Sequence, residues 1–229
     1  MEYAARAAPY IDLQGFLQRV FAWMFAGLAV TAVSALAIGS NQRLLTAVTS
    51  HPVLLIGVFV VELAVVLALT AAINRLSVPM ALTLFFVYAG LNGVLFAFVF
   101  ELYTQESIFT TFLITAGMFG AVAVWGYTTK RDLSRFGTVL LMALIGLILA
   151  TFVNFFVGGS TLYWITTYAG VVIFCGLTAY DMQKLKTFAA AGGAGEQQEE
   201  RRAIQGALAL YLDFINLFLF LLRIFGRSR

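Results

Sequence analysis

The chain has 229 residues, of which 62% are hydrophobic and only 11% charged, and its mean hydropathy is +0.94. That balance excludes an ordinary soluble domain, in which about half the residues are apolar and about a quarter charged. The net charge of +3 is too small to argue for a nucleic-acid partner, and its placement is a topology signal instead.

Read in chain order, residues 1–19 form a short N-terminal segment carrying Arg6 and Arg19, followed by a first apolar helix over 20–39. Ala35-Leu36-Ala37 has the small-x-small spacing of a cleavage site, but the run is too long for a signal-peptide core, so it reads as a retained helix. Further helices are predicted over 53–73, 79–100 and 108–127. Each is long enough to span about 30 Å of hydrocarbon. Residues 136–180 carry no charge, which is too long for one crossing, and Gly158-Gly159-Ser160 divides them into helices over 137–157 and 162–181. Residues 187–202 contain the run AAAGGAG and then EQQEERR; they read as a flexible, solvated loop. The last helix is predicted over 203–222. The expected fold is therefore all-α and polytopic, a single seven-helix transmembrane domain over 1–229.

Lys and Arg near the helix ends set the orientation. A cytoplasmic N-terminus puts Arg6, Arg19, Arg75, Lys130, Arg131, Arg135, Lys184, Lys186, Arg201 and Arg202 inside, against Arg43, Arg223, Arg227 and Arg229 outside. The tail arginines oppose a seventh crossing, which leaves a re-entrant last segment as the alternative; the crossing is the preferred reading. Gly90, Gly117 and Gly120 read as close-packing positions between helices. Asn92, Asn154 and Asn216 read as groups that satisfy one another or backbone between helices. Trp23, Trp125 and Trp164 read as interfacial anchors. The single cysteine, Cys175, forms no internal disulfide.

The acidic residues carry the chemistry. Asp213 is the only charged side chain in 203–222, near its middle. A carboxylate at that depth costs roughly 2.5–3.5 kcal/mol on insertion scales and marks a functional site unless it is a protonated structural group. Gly206, Ala209, Asp213 and Asn216 share one small and polar face. Asp181 closes the sixth predicted helix, with Thr178 on the same face. Helices adjacent in sequence pack as neighbours, so the two carboxylates meet if the sixth helix tilts inward. A pair sharing a low-dielectric site titrates as a unit, which makes it a candidate pH sensor. An interfacial Asp181 beside Lys184 is the alternative. Arg75, between the second and third helices, is a candidate counter-ion for the pair or a plain topology anchor. Glu62 lies near mid-membrane and either lines a pathway or is protonated. Calcium takes six to eight oxygen ligands at about 2.3–2.6 Å. Asp213, Asp181, Glu62 and Asn216 are too few for a storage cage but suit a weak, transient site in a pathway.

Residues 176–186 (GLTAYDMQKLK) and 207–226 (ALALYLDFINLFLFLLRIFG) closely resemble the signatures of the Bax inhibitor-1 family, and residues 117–133 resemble a segment of its bacterial branch. The resemblance runs from about residue 17 to 226. It implies two three-helix layers around a central C-terminal helix, in the inner membrane of a bacterium. It also implies a pH-sensitive calcium leak with an Asp pair, here Asp181 and Asp213, and an Arg latch, which matches Arg75 by position. Calcium would be the permeant ion, with no cofactor and no enzymatic activity. A second reading is a non-transporting regulator of membrane proteases or stress responses, acting through helix contacts within the lipid bilayer. A third, an intramembrane aspartyl protease, uses the same two aspartates, but the Gly-x-Gly-Asp surroundings and Pro-Ala-Leu triplet of such enzymes are absent.

Overall fold

A computed structural model describes residues 12–191 and 195–228. Its helices are α1 (Leu13–Gly39), α2 (Gln42–Thr49), α3 (Pro52–Ala72), α4 (Val78–Leu102), α5 (Gln105–Thr128), α6 (Ser134–Val157), α7 (Ser160–Ala191) and α8 (Glu196–Phe225). Six of them, all but α2 and α3, are long and apolar enough to cross a membrane. The seventh apolar helix is α3, whose 21 residues reach about 31 Å at the helical rise.

Local chemistry sets the boundaries. Asp12, Asn41, Ser77 and Thr104 each place a side-chain oxygen on a free first-turn N–H of α1, α2, α4 and α5. Pro52 and Pro79 stand in first turns, where a missing N–H costs nothing. At the end of α6, Gly158 takes φ 68° while its N–H reaches Asn154 O at 2.8 Å; that left-handed conformation favours glycine and turns the chain into α7.

The core surrounds α8. It packs against α1, α4, α5 and α7, while α3 leans on α4 and α6 on α7. The layers are thus α1, α3 and α4 on one side and α5, α6 and α7 on the other, with the C-terminal helix between them. Tyr211, wholly buried on α8, bonds its hydroxyl to Thr31 Oγ1 at 2.6 Å, and Thr31 in turn reaches Ala89 O at 2.9 Å. One buried chain of hydrogen bonds therefore joins α8, α1 and α4. After α8 the chain meets the opposite end of the bundle from the start of α1: Ser228 pairs with Tyr103, and Thr104 N donates to Arg227 O at 3.1 Å. The last helix runs the full length of the bundle.

Several local readings need correction. The segment 187–202, expected to be a flexible loop, is mostly helix, because α7 continues to Ala191 and α8 begins at Glu196; residues 192–194 lie outside the described residues, as do 1–11 of the N-terminal segment. Helix α1 begins at Leu13, inside that segment, and α2 is a short helix that the apolar pattern does not reveal. Gly117 and Gly120 do not support close packing, since a Cβ on either would meet nothing within 4 Å. The close approaches lie at Gly93, against the backbone of Thr31 and Ala35, and at Gly126, against the backbone of Ala179.

Candidate functional site

Asp213 sits where α8 faces α7, 4% exposed. Its carboxyl lies beside Thr178 and within electrostatic range of Asp181. The Thr178 hydroxyl donates to Phe174 O at 2.8 Å, so its single proton is directed at its own helix. The Oδ2 atom of Asp213 has no hydrogen-bond partner. A buried carboxyl oxygen left in this way calls for a proton or a cation. The two aspartates of the sequence analysis are therefore brought together, at two depths: Asp213 is sealed, and Asp181 is half-buried on the wall of a cavity.

That cavity measures about 500 Å³ and opens at the end of the bundle where α1 begins. Thr70 of α3, Asn74 of the α3–α4 turn, Lys184 of α7, and Arg202 and Gln205 of α8 share its wall with Asp181. The cations facing the pair are thus Lys184 and Arg202, the latter seated 3.6 Å over the Phe188 ring. Arg75 is not among them. Its side chain is exposed, with no hydrogen bond or ion pair to another described residue, while its backbone N–H closes the turn onto Ala72 O at 2.8 Å. A position at the correct helix end did not fix the direction of the side chain. The α3–α4 turn is held instead by Arg201, whose Nη1 donates to Asn74 O at 2.9 Å.

Arg201 belongs to a run of four residues that fastens the start of α8. Glu199 and Glu200 both pair with Arg19 of α1, and Glu200 accepts from Trp23 Nε1 at 2.9 Å. Arg201 and Arg202 then reach the α3–α4 turn and α7. The charges read from sequence as a solvated run are a clasp between helices. Trp23, read as an interfacial anchor, is part of it.

A second polar cluster lies farther along the bundle. Glu62 of α3, 7% exposed, borders a cavity of about 280 Å³ with Tyr88 and Asn92 of α4 and Asn216 of α8. Tyr88 lies within hydrogen-bonding reach of both Glu62 and Asn92. The Nδ2 atom of Asn92 has no partner, and Asn216 donates to Leu212 O of its own helix at 2.8 Å. The asparagines therefore do not satisfy one another. Along α3 and into the turn after it, Glu62, Val66, Thr70 and Asn74 recur every four residues; along α8, Gln205, Ala209, Leu212, Asn216 and Leu219 make the matching stripe. These residues line the two cavities in succession, so both lie along one seam between α3 and α8. Tyr88 was missed from sequence, although its position four residues before Asn92 puts two polar groups on one face of an otherwise apolar helix. Among the described residues no three His, Cys, Asp or Glu side chains come together to hold a metal.

A family model described as inhibitor of apoptosis-promoting Bax1 matches residues 13–229. The chain belongs to the Bax inhibitor-1 family. It is 46% identical over 228 residues to the inner membrane protein YbhL of Escherichia coli (strain K12), covering 96% of this chain and 95% of that protein. An uncharacterized protein of Deinococcus radiodurans is 45% identical over 218 residues, 95% of this chain and 92% of its own. An uncharacterized membrane protein of Streptococcus pyogenes is 35% identical over 221 residues, with 95% of each chain covered. The Bax inhibitor-1 assignment agrees with the all-helical, polytopic architecture, and the names of the Escherichia coli and Streptococcus pyogenes relatives place those two in membranes.

Proposed function

We propose that this family member is a pH-sensitive calcium leak channel of the inner membrane, with its N-terminus in the cytoplasm. The observation that carries the reading is Asp213, which is buried with one unpartnered carboxyl oxygen and lies within electrostatic range of Asp181, a wall residue of the open cavity. Calcium enters from the Asp181 side, meets a small number of oxygen ligands, and passes along the α3–α8 seam toward Glu62 and Asn216. So sparse a ligand set binds loosely, which conduction requires. When the pair shares a proton, Asp213 needs no cation and the inner end stays shut; loss of that proton creates a demand for one. Helix α3 is the moving part, since it leans on α4 and leaves cavities toward α8. Arg201 supplies the restraint that the family resemblance assigns by position to Arg75. A protease is disfavoured because α8 is one continuous helix through Asp213, with no unwound stretch for a peptide.

Calcium flux into liposomes containing the purified protein, measured at about pH 6 and pH 8, tests the proposal. The expected result is a flux above that of protein-free liposomes that changes with pH. Flux no greater than the protein-free background at either pH would reject the leak.

A further inference from the structure

Helices α1 and α5 both border α7 and α8, yet they stand apart from each other. The gap between them is a slot in two connected parts. The inner part, about 370 Å³, is apolar: Met24 of α1 and Gly120 and Ala123 of α5 form the walls, and Met182 of α7 and Phe214 of α8 the floor. The outer part, about 760 Å³, shares Leu17, Phe21, Phe25 and Tyr127 with the inner one and adds Asp12, Gln14 and Gln18. Polar groups thus line the end nearest the start of α1, and apolar ones line everything deeper.

A cation stands next to Tyr127, which lines both parts of the slot. Lys186, one turn beyond Met182 on α7, donates from Nζ to Tyr127 O at 2.8 Å and sits 4.9 Å from the Tyr127 ring centroid. An ammonium has three donors, so two remain for a ligand. Of the other charged groups nearby, Arg19 is already engaged by Glu199 and Glu200. Asp12 has one carboxyl oxygen on Gln14 N at 3.1 Å.

We propose that this slot binds one phospholipid of the adjacent leaflet, with a single acyl chain between α1 and α5 and the phosphate on Lys186. The chemistry matches at both ends. A chain needs only a dry, apolar groove, and a phosphate needs a cation with free donors at the membrane interface. Both walls are helices long enough to cross the membrane, so the slot opens sideways into lipid. Its floor residues Met182 and Phe214 adjoin Asp181 and Asp213 in sequence, so occupancy of the slot braces the helices that carry the pair. That last consequence rests on the leak reading, whereas the binding does not.

Native mass spectrometry of the purified protein, after exchange into detergent and addition of phosphatidylglycerol, tests the site. The wild type is expected to retain one phospholipid. Gly120→Leu projects a side chain into the inner part from a position where a Cβ meets nothing within 4 Å, and should weaken retention by about tenfold. Lys186→Gln should abolish the preference for phosphatidylglycerol over an uncharged diacylglycerol. A melting curve confirms that each variant is folded; should Lys186→Gln not fold, the wild type's own preference between the two lipids decides the headgroup question. Equal retention by wild type and folded Gly120→Leu would overturn the chain site, and equal retention of the two lipids by the wild type would overturn the phosphate contact.

Discussion

The two flanks of α8 are built differently. Toward α7 the helices interlock: a Cβ on Gly206 would run into Leu185, and one on Gly170 would run into Phe220. Toward α3 there are two cavities, of about 500 and 280 Å³, whose mainly apolar walls carry several polar side chains. Closely packed interiors are not continuously deformable, so motion concentrates where packing is already incomplete. The Asp pair therefore sits on the rigid flank and opens toward the loose one. On the proposed reading, the pair would be held in position beside the helix whose packing leaves the most room to move.

The largest expected effect breaks the rigid flank's chemistry. Asp213→Asn keeps the shape of the side chain and removes its titratable group, and Asp181→Asn does the same at the cavity wall. Either substitution should remove most of the pH dependence of calcium flux in liposomes. The double variant should add little, because groups that act as a unit are non-additive. A double variant with the full pH response would move the sensor to the loose flank, where Glu62 is the buried acid.

Packing itself gives the next contrast. Gly126→Ala places a methyl group against the Ala179 backbone, which cannot rotate away. Overpacking of this kind costs about 1–3 kcal/mol, or several degrees of melting temperature in detergent at about 2–4 °C per kcal/mol. Gly117→Ala on the same helix α5 meets open space and should be neutral, or stabilising by about 0.4–1 kcal/mol through loss of unfolded-state freedom. Equal melting temperatures would mean that α5 and α7 are not in close contact at Gly126.

These contrasts also separate what the sequence carries from what it does not. The seven apolar helices, the break at Gly158 and the adjacency of Asp181 to Asp213 are local or nearly local patterns, and each was legible. The extension of α7 and α8 was not. Charges in 196–202 end the apolar signal, yet the helix continues because Glu199 and Glu200 find Arg19 about 180 residues away. Glu62 likewise meets Tyr88 and Asn216 only once α3, α4 and α8 are assembled. For Arg75, topology gave its end of the bundle but not the direction of its side chain, which is exposed and apart from the cavity.

A smaller effect tests which arginine restrains α3. The Arg201 bond to Asn74 O is charge-assisted but exposed, so about 1 kcal/mol is a fair scale, or about fivefold in the ratio of open to closed. Arg201→Gln should raise resting flux by about that factor, whereas Arg75→Gln should leave it unchanged. The reverse result would restore Arg75 as the latch and require its side chain to swing into the cavity.

The smallest effect concerns Asp132, in the connection between α5 and α6. Its carboxylate accepts from Ser134 N at 2.9 Å, and that hydrogen bond holds it below the usual carboxylate range. The connection is docked close to the Asp pair in sequence: Gln183, two residues beyond Asp181, accepts from Leu133 N and donates to Arg131 O, both at 2.8 Å. Because the folded value is depressed, the contribution of Asp132 is fully present above the ordinary Asp value, near about 3.9, and is lost as pH falls through the folded one. Between about pH 6 and pH 8 the group therefore stays ionised and cannot report pH. Asp132→Asn should lower the melting temperature slightly at neutral pH, with the difference vanishing in strong acid, while the pH response of calcium flux remains that of the wild type. A flattened response in Asp132→Asn would place proton sensing in the loop rather than in the buried pair.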